Sequence, residues 1–122
     1  MGAGSGGGYA TSPSSAAAFR RNIDRLAKKY PLDHKGRFGK PARRADVQVV
    51  RSPDPAKTAN EFFDTLSLGG RIQPLPRGNG VMGRFDDDSG VVLRPSSKSG
   101  GPAVNITIVG KYGDEYKIHF ER

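Results

Sequence analysis

A short set of side chains near the end of the chain is of a kind that can cleave a phosphodiester. Arg94 is followed by Ser96, Ser97 and Ser99, and Asn105, Thr107, Lys117 and His119 come after them. An imidazole titrates near working pH and can carry protons. A guanidinium offers a planar fork of donors to phosphate oxygens and never deprotonates. A nearby ammonium stabilises charge that builds on the phosphoryl group. Serine hydroxyls in a glycine-containing loop, with the backbone N–H groups beside them, can hold the phosphate in place. RNA supplies its own nucleophile, the 2′-hydroxyl, so such a set needs neither a metal nor a covalent intermediate. The roles that follow are His119 as general acid or base, Arg94 and Lys117 on the phosphate, and Ser97 and Thr107 positioning it. Ser96, Ser99, Arg84 and Asn105 are further RNA contacts, and Glu121 is a candidate for the second proton transfer.

These residues need a sheet to bring them together. From residue 71 onward the apolar pattern alternates. Strands are expected at Arg71–Leu75, Val81–Phe85, Val91–Arg94, Ala103–Val109 and Glu115–Glu121, with turn residues between them. Because side chains alternate along a strand, Val91, Leu93, Val104, Ile106, Ile108, Tyr116, Ile118 and Phe120 share one face. Arg94, Asn105, Thr107, Lys117 and His119 share the other, with Arg84 joining them. Two helices precede the strands. Ser14 or Ser15 is placed to cap one that reaches about Lys29, with Phe19, Ile23, Leu26 and Ala27 as its apolar stripe. Asp54-Pro55 opens the other, which ends before Gly69-Gly70 and buries Ala59, Phe62, Phe63 and Leu66. The expected class is α+β, with N-terminal helices packed on one face of a four- to five-stranded antiparallel sheet.

Charge divides the chain. Its net formal charge is +8, and residues 20 to 51 hold eleven Lys or Arg against three Asp, so the whole excess lies there. Residues 52 to 122 balance at nine of each sign. A block of this kind attracts polyanions through counterion release. Lys35, Lys40, Arg43, Arg44 and Arg37 are therefore expected to grip an RNA backbone, from a loop over Leu32–Ala45 that orders on binding. Asp46–Arg51 is expected as a short strand. The organisation expected is a Gly/Ser linker over 1–13, a basic helix and loop arm over 14–57, and a catalytic core over 58–122, with 14–122 one domain. Met1 to Pro13 lacks the basic patch and apolar core of a signal peptide.

Several chemistries find no support. The chain has no Cys, which removes disulfides, thiolate zinc sites and a Cys nucleophile. Asp86-Asp87-Asp88-Ser89-Gly90 lacks the spaced ligands and closing Glu of a calcium loop. Gly78 to Gly83 fits a dinucleotide fingerprint in letters only, since it leads into strand residues. His34 has no second His at metal spacing. No metal or cofactor is expected, and no apolar run approaches the roughly 20 residues of a membrane-spanning helix.

The stretch Arg94-Pro95-Ser96-Ser97-Lys98-Ser99-Gly100-Gly101-Pro102-Ala103-Val104-Asn105-Ile106, followed by Lys117-Ile118-His119-Phe120, resembles the C-terminal ribonuclease modules of bacterial polymorphic and contact-dependent toxins. These belong to the barnase, EndoU, colicin and RelE superfamily, and the similarity covers about residues 58 to 122. It implies a helix-backed antiparallel sheet and metal-independent RNA cleavage, with tRNA the expected target. It implies roles for Arg94, Ser97 and His119 first and Lys117 next. It also implies a monomeric, secreted domain that acts in a target-cell cytoplasm and is met by a cognate, acidic immunity protein. Asn105 departs from the acidic residue expected at its position. Two other classes stay open. One is a non-catalytic RNA- or DNA-binding module, against which Tyr116 and Phe120 speak by pointing inward rather than offering bases a stacking surface. The other is a metal-dependent DNA nuclease, for which no His, Asp and Glu cluster stands at ligand spacing.

Overall fold

A computed structural model describes residues 14–97 and 100–122. The expected linker over 1–13 and the expected contact Ser99 lie outside the described residues. Two helices, α1 (Ala16–Ala27) and α2 (Pro55–Leu66), accompany seven strands: β1 (Lys40–Pro41), β2 (Val47–Arg51), β3 (Arg71–Pro74), β4 (Val81–Arg84), β5 (Gly90–Arg94), β6 (Ala103–Ile108) and β7 (Asp114–Glu121). All seven strands form one sheet in the order β1-β2-β7-β6-β5-β4-β3.

Both helices begin as their sequences suggest. Ser15 caps α1 by accepting from the Ala18 N–H at 3.1 Å, and Asp54 caps α2 ahead of Pro55. Such caps contribute about 1 kcal/mol each. Phe19, Ile23 and Leu26 of α1 are buried, as are Ala59, Phe62, Phe63 and Leu66 of α2. Helix α2 lies on β5, β6 and β7, and α1 packs against α2. The Phe62 ring meets Phe38, Phe120 and Tyr30 with centroids 4.7–5.3 Å away. Replacing it by Ala would cost about 3–5 kcal/mol.

The expected four- to five-stranded antiparallel sheet, and the ribonuclease-superfamily fold attached to it, are corrected by this topology: the sheet is mixed and has seven strands. β2 pairs with β7 in parallel, from Val47↔Lys117 to Arg51↔Glu121, and β1 adds an antiparallel edge beyond it. The crossover from β2 through α2 makes that parallel pairing possible. Period-two alternation identifies strands but does not say which strand each one joins.

A second correction concerns Leu32–Ala45, expected to order only on binding. The segment is fastened to the sheet. Asp33 accepts from the backbone N–H groups of Lys35 and Arg37, and the Gln48 amide donates to Asp33 and to the carbonyls of Phe38 and Gly39. Phe38 is 1% exposed in the core, and its N–H donates to the Tyr116 hydroxyl. Gly39 sits at φ 85°, and a Cβ there would stand 2.6 Å from the Val49 carbonyl oxygen, so only glycine brings this segment so close to β2. The basic arm is therefore part of the sheet, with β1 and β2 as its contribution. Among the described residues no helix is long and apolar enough to cross a membrane.

Candidate active site

The helices cover one face of the sheet, and the opposite face carries the polar set. Along β5, β6 and β7 the core side holds Val91, Leu93, Val104, Ile106, Tyr116, Ile118 and Phe120, all buried. The alternate residues Arg94, Asn105, Thr107, Lys117 and His119 are half-buried on the other side. Strand register arranges them in rows. One row runs Arg94, Ala103, His119, Val49, and the next runs Val92, Asn105, Lys117, Val47. Arg94 and His119 are thus two strand spacings apart, about 10 Å between backbones, with only a methyl group between them.

A cleft of about 630 Å³ opens over these rows, lined by Asn79, Arg94, Ser96, Ser97, Asn105 and Lys117. Its first four residues come from the β3–β4 turn and from the end of β5 and the loop after it; β6 and β7 supply the last two. Neither Arg94 nor Lys117 has a side-chain hydrogen bond or ion pair among the described residues. Ser97 Oγ and Asn105 Oδ1 are buried yet have no hydrogen-bond partner there. Buried polar atoms in native folds are nearly always paired, and stranding one costs about 1–3 kcal/mol. Two cations beside two buried polar atoms, none of them partnered among the described residues, fit a polar, anionic ligand.

His119 adjoins this cleft across Ala103. Its pKa lies below the usual imidazole value, chiefly because burial penalises the charged form. Lys117 and, more weakly, Arg44 push the same way, while Glu121 opposes them. At neutral pH the ring is therefore uncharged and able to accept a proton. Arg44, an exposed residue in the β1–β2 connection, brings the charge of the basic segment to bear on this imidazole. Glu121 shares the face of His119 but stands 3.6 Å from Arg51 and does not line the cleft.

The comparisons with family models, curated proteins and solved structures return no match. The cleft's own chemistry carries the functional reading.

Not every expected residue gathers here. Thr107 lies four positions along β6 from Ala103, about 13 Å away, in a row with Gly90, Arg84 and Glu115. It shares a separate depression of about 100 Å³ with Arg84. The expected positioning role of Thr107 and the RNA contact of Arg84 therefore lack a place in the main cleft. Arg37 is corrected more firmly. Its guanidinium grips Asp114 with two hydrogen bonds of 2.7 Å, meets Asp46 at 2.8 Å, and is only 12% exposed. It also stacks over the Tyr116 ring at 5.1 Å. Three of its N–H donors are engaged in holding the fold. Lys35, Lys40, Arg43 and Arg44 are exposed. Lys40 borders a different depression with Tyr30, Val49 and Arg51. Among the described residues no group of three or more His, Asp or Glu converges as a metal site would require.

Sequence reasoning missed Asn79. It reads as turn material between two strands, and only the β4–β5 pairing brings it beside Arg94.

Proposed function

We propose that the protein is an endoribonuclease that cleaves RNA by attack of the 2′-hydroxyl on the adjacent phosphate. The supporting observation is the cleft itself, where Arg94 and Lys117 flank buried Ser97 Oγ and Asn105 Oδ1, all four without a side-chain partner among the described residues, with neutral His119 one small residue away. In this scheme the phosphate lies against Arg94 and Lys117, and Ser97 donates to one of its oxygens. His119 accepts the 2′-hydroxyl proton as the 2′-oxygen bonds to phosphorus. The bond from phosphorus to the 5′-oxygen breaks, and that oxygen takes a proton from water. The products are a 2′,3′-cyclic phosphate and a 5′-hydroxyl. The developing charge is met by donors already in place, the arrangement that contributes most in such sites.

The proposal extends, through the sequence resemblance, to a secreted toxin with tRNA as substrate. The surplus of +8 charges suits an acidic immunity protein as partner. Incubating the protein with total RNA in EDTA tests the chemistry. Discrete fragments ending in 2′,3′-cyclic phosphate, abolished by His119→Ala and kept by His34→Ala, are expected. A strict requirement for a divalent ion would contradict the scheme.

A second reading, a non-catalytic nucleic-acid-binding module, draws on Tyr112. That ring is 82% exposed in the β6–β7 turn, with the Lys111 ammonium 5.6 Å from its centre, a combination suited to stacking on a base. RNA binding without cutting, weakened by Tyr112→Ala, would favour it.

A further inference from the structure

The groups lining the cleft make unlike demands on a ligand. Arg94 and Lys117 can only donate hydrogen bonds, and the Ser97 hydroxyl can donate or accept. The amide oxygen of Asn105 can only accept, and it is buried without a partner among the described residues. A phosphodiester carries acceptors alone at neutral pH. It answers the two cations and the hydroxyl, and leaves Asn105 Oδ1 stranded. A ligand that satisfies all four groups carries an anion and, close beside it, a donor. In a nucleic-acid strand the donor nearest a 3′-phosphate is the 2′-hydroxyl, on the neighbouring carbon of the same ribose. Base amino groups lie several bonds further away, and DNA has no donor at that place.

A second depression, of about 360 Å³, adjoins the cleft. Leu75, Pro76, Arg77, Asn79 and Arg94 line it, so Arg94 and Asn79 border both spaces. One guanidinium standing between two hollows suits one phosphate standing between two nucleosides. Leu75 and Pro76 offer an apolar surface for a base, and Arg77 offers a cation for the next phosphate. The turn is held tight by Gly80, where a Cβ would run into the Leu93 carbonyl oxygen and come within 2.8 Å of Leu75 Cδ1.

We infer, resting on the ribonuclease reading, that the site binds single-stranded RNA in one direction. The upstream ribose donates its 2′-hydroxyl to Asn105 Oδ1, its 3′-phosphate lies at Arg94 and Lys117, and the downstream nucleoside sits on the Leu75–Arg77 turn. Asn105 is then the residue that tells RNA from DNA: it takes the 2′-hydroxyl hydrogen in the resting complex, and that one proton turns to His119 as the attack begins.

Calorimetric titrations with uncleavable ligands test both halves: 3′-cytidine monophosphate, its 2′-deoxy counterpart, and the deoxydinucleotide dCpdA. The wild type is expected to prefer the ribonucleotide about tenfold, the worth of one buried hydrogen bond. Asn105→Ala is expected to abolish that preference while leaving the affinity for the deoxynucleotide unchanged. Arg77→Ala is expected to weaken dCpdA severalfold and leave 3′-cytidine monophosphate untouched. A ribose preference that survives Asn105→Ala, or dCpdA binding indifferent to Arg77→Ala, overturns the inference while the ribonuclease reading stands. If the wild type binds none of the three, or if Arg94→Ala binds them as tightly as the wild type, the ribonuclease reading falls and takes the inference with it.

Discussion

Arg37 and Arg94 are the same residue type in opposite circumstances. Around Arg37 the charge is answered on two sides: Asp114 takes two hydrogen bonds, Asp46 a third, and Tyr116 lies beneath the plane. Around Arg94 no carboxylate stands within ion-pair distance among the described residues, and the nearby polar atoms are themselves unpaired. The first region is electrostatically closed and serves the fold. The second is open, and under the proposed function a ligand closes it. A cation's place in a basic run or a balanced one says little about which it will be; Arg37 comes from the run with all the surplus charge and is the one that is neutralised.

The contrast can be broken by experiment, and its largest expected effect is on catalysis. Arg94→Ala should lower RNA cleavage at least about 100-fold, as removal of one transition-state donor does. Its stability in urea should stay within about 0.5 kcal/mol of wild type. A comparable loss of stability would mean that Arg94 belongs to the fold after all.

Arg37→Ala should behave in the opposite way. Removing one partner of a fully buried pair costs about 3–5 kcal/mol. Here Asp46 is 66% and Asp114 27% exposed, and solvent screening reduces the expected loss to about 2 kcal/mol. Cleavage per folded molecule should be unchanged. The pH dependence should shift as well. Hydrogen bonds from Arg37 hold the Asp114 carboxyl below the usual carboxylate range. That stability is present above the unfolded value of about 4 and is lost as pH falls through the folded one. Urea titrations should show this acid loss in the wild type and little of it in Arg37→Ala.

A subtler effect concerns His119. Its depressed pKa makes the neutral ring's contribution to stability complete above about 6.5 and lost as pH falls through the folded value. Lys117→Met removes one of the charges that depress it, so an NMR titration should show the His119 pKa rising in that variant. An unchanged value would remove Lys117 from the neighbourhood of the imidazole. The smallest effect is expected at the far end of the open face. Thr107→Ala and Arg84→Ala should alter cleavage less than about twofold, since neither borders the main cleft. A large loss in either would restore the roles their sequence positions suggested.

Much of the site was legible because it rests on local rules. Caps and apolar stripes place both helices, and alternation over Gly90–Arg94, Ala103–Ile108 and Asp114–Glu121 separates Asn105, Lys117 and His119 from the core. What escaped depends on partners distant in sequence. The parallel pairing of β2 with β7 joins residues 70 positions apart, as in Val47↔Lys117. Arg37 is neutralised by Asp114, 77 positions away. Phe38 has no apolar residue beside it in a basic stretch and shows no period, yet it fills the core beside Phe62. The neighbours of Asn79 and Thr107 escaped for one reason: distance along a strand or across a turn fixes them, and residue type does not.

The central claim, that the open region around Arg94 is where a ribose phosphate lies, is tested most directly by mapping amide and side-chain NMR shifts while 3′-cytidine monophosphate is added. The account predicts changes concentrated at Arg94, Ser97, Asn105, Lys117 and His119, with the Arg37 guanidinium signals unmoved. Changes confined to Lys35–Arg44, or spread evenly over the basic surface with the cleft silent, would contradict it.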